Sequence, residues 1–164
     1  MAGTGRVTPE ATGVLTTVGR STPDGPVVVA LSGGADSAVA AWALAQLREP
    51  GSVRAVHIHH GFAASDALAA AARDVAAALG LGLTVAAVDV PPGASEEGQA
   101  RTVRLAALES AAAGGEWIVT GHHGDDAVES VIGNLLRGAG AAGLSGMAAR
   151  RGRWVRPLLG LTRE

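Results

Sequence analysis

Four times along the chain a short run rich in β-branched residues gives way to an alanine-rich segment with helical spacing. The runs are Val27–Leu31, Val53–His59, Leu83–Val88 and Glu116–Thr120, and helices are predicted to start near Ser37, Ser65, Ser95 and Gly124. A strand that returns parallel to its predecessor needs a crossover of a dozen or more residues, which a helix supplies. The pattern therefore predicts an α/β fold, a Rossmann-like parallel sheet of about five strands with helices on both faces, the last strand coming from RGRWVRPLL. An earlier helix opens at Pro9 with Thr8 as its cap. Ser65, with Asp66 in the first turn, and Ser95 are the caps expected for the third and fourth helices, the fourth closing at Gly114 and Gly115.

A length of 164 residues suits one domain, 1–164. The 48% of apolar residues are mostly Ala, Val and Leu, with Phe62 and three Trp as the only large aromatics, so the core is built from small aliphatics. Cysteine is absent, which excludes disulfides, thiolate metal sites and persulfide chemistry on this chain. The net charge of -2 gives no overall basic footprint for a nucleic acid. Six of the thirteen Arg lie from Arg137 onward, however, so an anionic partner could dock there. No segment has the pattern of a secretory signal or the length of a membrane span, and the expected compartment is the cytoplasm, with no membrane partner. Thr162 followed by polar residues reads as a helix start, which suggests the N-terminal part of a longer protein.

Between the first strand and its helix lies SGGADS, at 32–37. In a parallel sheet this spot is where ligands bind. Gly33 and Gly34 let the backbone bring N–H groups against phosphate oxygens, and Ser32 and Ser37 add hydroxyls. The lysine of a Walker A loop is missing; the chain contains none. Asp36 beside phosphates favours an intervening Mg²⁺. The plainer alternative is a strand-to-helix turn capped by Asp36 or Ser37.

A second loop, VTGHHGDDAVESVIGNLLRG at 119–138, also runs from a strand into a helix and reaches the same edge. Asp126 and Glu129 share one face near the first turn, where a carboxylate pair could hold Mg²⁺ or an ammonium group. Alternatively Asp125 and Asp126 cap the helix and Glu129 is solvated, which for Asp125 is the favoured reading. A zinc site finds neither H-E-x-x-H spacing nor a thiolate. His57, His59 and His60 end the second strand on this edge, with His57 and His59 on one face and at least one of the histidines serving only packing or a hydrogen bond. The glycine-rich stretch 138–146 is either a mobile loop over the site or a turn.

With both loops in view, the sequence resembles the PP-loop, or N-type ATP pyrophosphatase, family, in which S-G-G-x-D-S replaces Walker A and ATP is cut between its α and β phosphates. Within it the chain is most similar to the N-terminal domains of tRNA(Ile)-lysidine synthetases. The resemblance runs through ALSGGADSAVAAWAL, VHIHHGF, EGQARTVRLAAL, TGHHGDDAVESVIGNLLRGAGAAGLSGM and RPLLGLTR. It implies adenylation by ATP of the wobble cytidine of a tRNA(Ile) with a CAU anticodon, followed by displacement of AMP by free L-lysine. It also implies that Ser32, Gly33, Gly34, Ala35, Asp36 and Ser37 hold the ATP phosphates, that Asp36 acts through Mg²⁺ or substrate positioning, and that Arg101 faces the triphosphate. Gly121 and His122 would line the nucleotide side, Asp126 and Glu129 would hold the lysine ammonium or the metal, and Arg137 would face RNA or phosphate. The tRNA-binding domains usual in that family would then lie outside these 164 residues, and a homodimer is left open.

Several positions depart from the family pattern. Ala127 stands where an amide is usual and Ser130 where Thr is usual, and FAASDA replaces a basic loop after HHG. Other readings are a tRNA thiolase, an amide-forming synthetase or NAD synthetase with the same ATP chemistry, a non-catalytic ATP-binding module, and a fragment inert by itself. Lysine-dependent AMP release separates the first group from lysidine formation, and pyrophosphate release excludes the module.

Overall fold

A computed structural model of the chain describes residues 8–61, 65–88, 96–138 and 146–162, with the side chains of 96–100 outside the description. The expected Ser95 cap and most of the 138–146 stretch lie outside the described residues. The elements, in chain order, are α1 (Pro9–Ser21), β1 (Val27–Ala30), α2 (Ala35–Leu47), β2 (Val53–His59), α3 (Ser65–Leu79), β3 (Gly82–Ala87), α4 (Glu96–Ala111), β4 (Trp117–Val119), α5 (Gly124–Leu136), β5 (Arg150–Arg151) and β6 (Trp154–Val155). The alternation read from the sequence is thus the observed order. Thr8 caps α1, its side chain accepting from the Ala11 amide at 3.3 Å, with Pro9 in the first turn.

The sheet order is β3-β2-β1-β4-β6-β5. All neighbours are parallel except β5, which pairs antiparallel with β6 as an edge hairpin. The segment expected to supply a last strand therefore supplies two short ones, turning at Gly152, whose φ of +58° is left-handed.

Side-chain alternation along the strands sorts the core into two layers. Val27 and Val29 join Val18, Leu44, Ala72 and Ala76 under α1, α2 and α3, while Val28, Val56 and Ile118 join Leu108 of α4 and Ala112 just after it on the opposite face. Alanines on α2 and α3 let these helices approach the sheet closely, so small aliphatics fill the core as the composition implies. From β1 the chain proceeds outward to β2 and β3, then crosses to β4 on the other side of β1. The connections leaving β1 and β4 diverge there, and the crevice between them is the topological switch point of the sheet.

Candidate functional site

The loop after β1 is held by its own serines. The Ser37 hydroxyl accepts from the Ser32 amide at 3.1 Å and donates to the Gly34 carbonyl at 2.9 Å, and it lies 3.0 Å from Ser32 Oγ. Gly33 has a φ of +88°, and a Cβ there would also collide with the Leu68 backbone of α3, so two independent constraints require glycine. Helix α2 begins at Ala35 behind Gly34, and this N-cap offers no side-chain acceptor to the first-turn amides. Neither Asp36 nor Ser37 caps the helix, contrary to the plainer reading of the loop. An uncapped helix start beside a glycine loop is suited to an anion, because orphan N–H groups and the helix dipole point the same way.

The loop after β4 packs directly on that helix start. A Cβ on Gly121 would lie 2.6 Å from the Ser37 amide nitrogen and 2.7 Å from the Asp36 carbonyl carbon, so only glycine permits the approach. Thr120 Oγ1 is 2.8 Å from His122 Nδ1. The cap of α5 is His123: its Nδ1 accepts from the Asp125 amide at 3.2 Å, and its own amide donates to Asp126 Oδ2 at 2.8 Å. This corrects the expectation that Asp125 caps the helix. Asp126 completes the reciprocal capping pair, and Asp125 contributes its backbone. Because Nδ1 accepts, the neutral ring carries its proton on Nε2, and this buried nitrogen is 3.7 Å from both Asp36 Oδ2 and Asp126 Oδ2.

These two loops border one cavity of about 320 Å³, within the range of small-ligand sites. Its polar wall brings together Ser32, Asp36, Ser37, Gly121, His122 and Asp126, and its apolar wall includes Val56, Ile58, Leu105 and Leu108. Gly33, Gly34 and Ala35 belong to the loop but not to the cavity wall, whereas Arg101, Glu129 and Arg137 are exposed and off it. Arg137 ends α5 and donates to Asn134 Oδ1 at 2.9 Å.

Sequence reasoning missed Arg104, which borders the cavity one turn after Arg101. The spacing in RTVR was the available signal, since i and i+3 share a helix face. His60 and Thr120 also border it. His59 instead ties the end of β2 to α3 through Asp66, 3.0 Å away. Burial, assisted by nearby Arg104, lowers the pKa of His60; burial, assisted by Arg156, lowers that of His122. Both imidazoles are therefore neutral at pH 7, and the formal charges at the cavity are Asp36 and Asp126 opposed by Arg104.

Residues 10–164 match the family model of the PP-loop domain. The chain belongs to the PP-loop family. Its relatives include proteins named tRNA(Ile)-lysidine synthase from Pseudomonas fluorescens (strain Pf0-1), 46% identical over 143 residues that make up 82% of this chain and 32% of the relative. Another with that name, from Alkalilimnicola ehrlichii, is 46% identical over 83% of this chain and 33% of its own length. A third, from Xanthomonas campestris pv. campestris (strain 8004), is 44% identical over 87% of this chain and 35% of its own length. The chain thus spans about a third of the length of these relatives.

Membership in the PP-loop family makes ATP the nucleotide this domain uses, and the missing Walker lysine agrees with that membership. Among the described residues no group of three or more His, Asp or Glu is arranged to hold a metal ion. Among them also, no helix is long and apolar enough to cross a membrane.

Proposed function

We propose that the chain is the ATP-binding catalytic domain of a tRNA(Ile)-lysidine synthetase. The observation that carries this reading is the convergence of the Ser32–Ser37 and Gly121–Asp126 loops on one cavity, in a chain 46% identical over that region to proteins of that name. In the first step the C2 oxygen of the wobble cytidine in a CAU anticodon attacks the α-phosphorus of ATP, the α–β bond breaks, and pyrophosphate leaves. In the second the amine of free lysine attacks C2, loses a proton, and AMP departs with the C2 oxygen.

The loop amides and the Ser32 hydroxyl hold phosphate oxygens, with Gly33, Gly34 and Ala35 supplying backbone and Ser37, whose one hydroxyl hydrogen goes to the Gly34 carbonyl, bracing the loop around them. Arg104, with Arg101 one turn away, offsets the triphosphate charge. Gly121 and His122 form the nucleotide side. Mg²⁺ bound mainly by phosphates and water needs only one or two carboxylates, which suits Asp36 with Asp126 nearby. When bound, the ion neutralises charge on the departing pyrophosphate. Asp126 and Glu129 receive the lysine ammonium, and Arg137 faces RNA. The reaction is cytoplasmic in this reading, and self-association into a homodimer is tested by the mass of the chain in solution.

The decisive experiment follows label from α- and γ-labelled ATP with Mg²⁺ and a CAU-anticodon isoleucine tRNA, with lysine present or omitted. Pyrophosphate and AMP that require both tRNA and lysine are expected. Turnover indifferent to lysine would point to another PP-loop enzyme, and ATP binding without turnover to an inert fragment or a binding module.

A further inference from the structure

Among the buried polar atoms in the cavity region, a ring nitrogen of His57 finds no partner among the described residues. His57, on β2, is 2% exposed and belongs to the cavity wall. Its Nδ1 lies 2.8 Å from the Leu31 carbonyl oxygen. A carbonyl can only accept, so Nδ1 carries the hydrogen and Nε2 of the neutral ring presents a lone pair. That Nε2 is buried and has no hydrogen-bond partner among the described residues. Leu31 is itself fixed, since its amide donates to Val56 O at 2.9 Å, so the ring is locked to the strand that leads into the glycine loop. A buried acceptor with no donor is costly, and such groups persist where a ligand or an ordered water supplies the donor.

We infer that His57 Nε2 accepts a hydrogen bond from the nucleoside part of the bound nucleotide, which makes His57 a specificity residue for the ligand. This rests on the reading of the cavity as the ATP site. Val56 and Ile58 flank His57 on β2, and with Leu105 and Leu108 they give an apolar wall suited to a nucleoside, beside the polar loop suited to phosphates. A ligand satisfies the lone pair only by presenting an N–H or O–H. ATP carries three such groups on its nucleoside, the exocyclic amine and two ribose hydroxyls. A ligand that presents only acceptors at that point would leave both atoms unpaired and be rejected.

The test is calorimetric binding of ATP, purine riboside triphosphate, 2′-deoxy-ATP and 3′-deoxy-ATP to the chain and to two variants. In His57→Asn the side-chain amide can still donate to Leu31 O while nothing replaces Nε2; in His57→Gln an amide oxygen can reach the position of Nε2. The wild-type chain is expected to bind one of the three analogues about ten-fold more weakly than ATP. His57→Asn should bring that ratio close to one, and His57→Gln should keep part of it. The analogue that shows the effect identifies the donor. The ratio is taken within each variant, so a loss of folded fraction cancels. The inference is overturned if all three ratios are the same in wild type and His57→Asn, with ATP still bound, because Nε2 then serves only a buried water. Absence of ATP binding by the wild-type chain overturns it too, and is distinguished as a failure of the nucleotide reading itself.

Discussion

The Nε2 of His123 lies 3.7 Å from Oδ2 of Asp36, so a buried ring from the β4 loop faces the first turn of the helix that follows β1. The same nitrogen is 3.7 Å from Asp126 Oδ2, and its N–H is therefore the group between two carboxylates that would otherwise repel each other. His123→Ala is expected to destabilise the chain by about 1 kcal/mol in urea unfolding through loss of the cap. His123→Asn, itself a good N-cap, should keep most of that stability and still slow pyrophosphate release by about ten-fold or more, because the carboxylates are no longer positioned. Wild-type turnover in the Asn variant would remove His123 from that role.

Gly121 is where the two loops touch. A Cβ 2.6 Å from the Ser37 amide must push α2 away from β4. Gly121→Ala should cost about 1–3 kcal/mol of stability and weaken ATP binding, since the amides of α2 that face the phosphates shift with it. Chemical denaturation and nucleotide titration of the same preparation check both effects; an unchanged unfolding midpoint would mean that the approach is looser than described.

Asp36→Ala should abolish pyrophosphate release and leave the fold intact, as read by circular dichroism, because the half-buried carboxylate supports no helix cap. Either an unfolded variant or full activity counts against its proposed role. Glu129 is exposed on α5, so Glu129→Gln should leave ATP affinity unchanged and raise the KM for lysine if its carboxylate receives the ammonium.

The two arginines of RTVR separate by position. Arg104 borders the cavity and Arg101 is exposed. Arg104→Ala is expected to raise the Kd for ATP by about ten-fold or more, the scale of a lost charged hydrogen bond, and Arg101→Ala to act less. The reverse order would put the triphosphate on the outer turn of α4.

Acid should destabilise the fold through His60 and His122. Burial holds both pKa values below the ordinary imidazole value. Below about pH 6.5 the unfolded chain takes up protons that the folded chain does not, so stability rises with pH in this window and falls as pH drops through it. The Tm should be lower near pH 5.5 than near pH 7.5, with a smaller difference in His122→Gln. A pH dependence identical in wild type and in both His60→Gln and His122→Gln would assign it elsewhere.

What could be read from the chain alone followed from local rules. Strand and helix periodicities placed β2 at Val53–His59 and α5 at Gly124–Leu136, and Thr8–Pro9 marked the start of α1, because each signal lies within a few residues of what it specifies. The two loops could be assigned to one edge because every parallel strand presents its carboxyl end there. The tertiary structure decided which side chains meet. His123 takes the cap that Asp125 was expected to take, Arg104 reaches the wall that Arg101 does not, Glu129 stays outside, and His57 is left with a buried lone pair. Those outcomes depend on β4 pairing with β1 rather than with its sequence neighbours, and on the few ångströms between Gly121 and Ser37. Periodicity determines which face of an element is apolar; only the long-range pairing of strands determines what that face and its loops encounter.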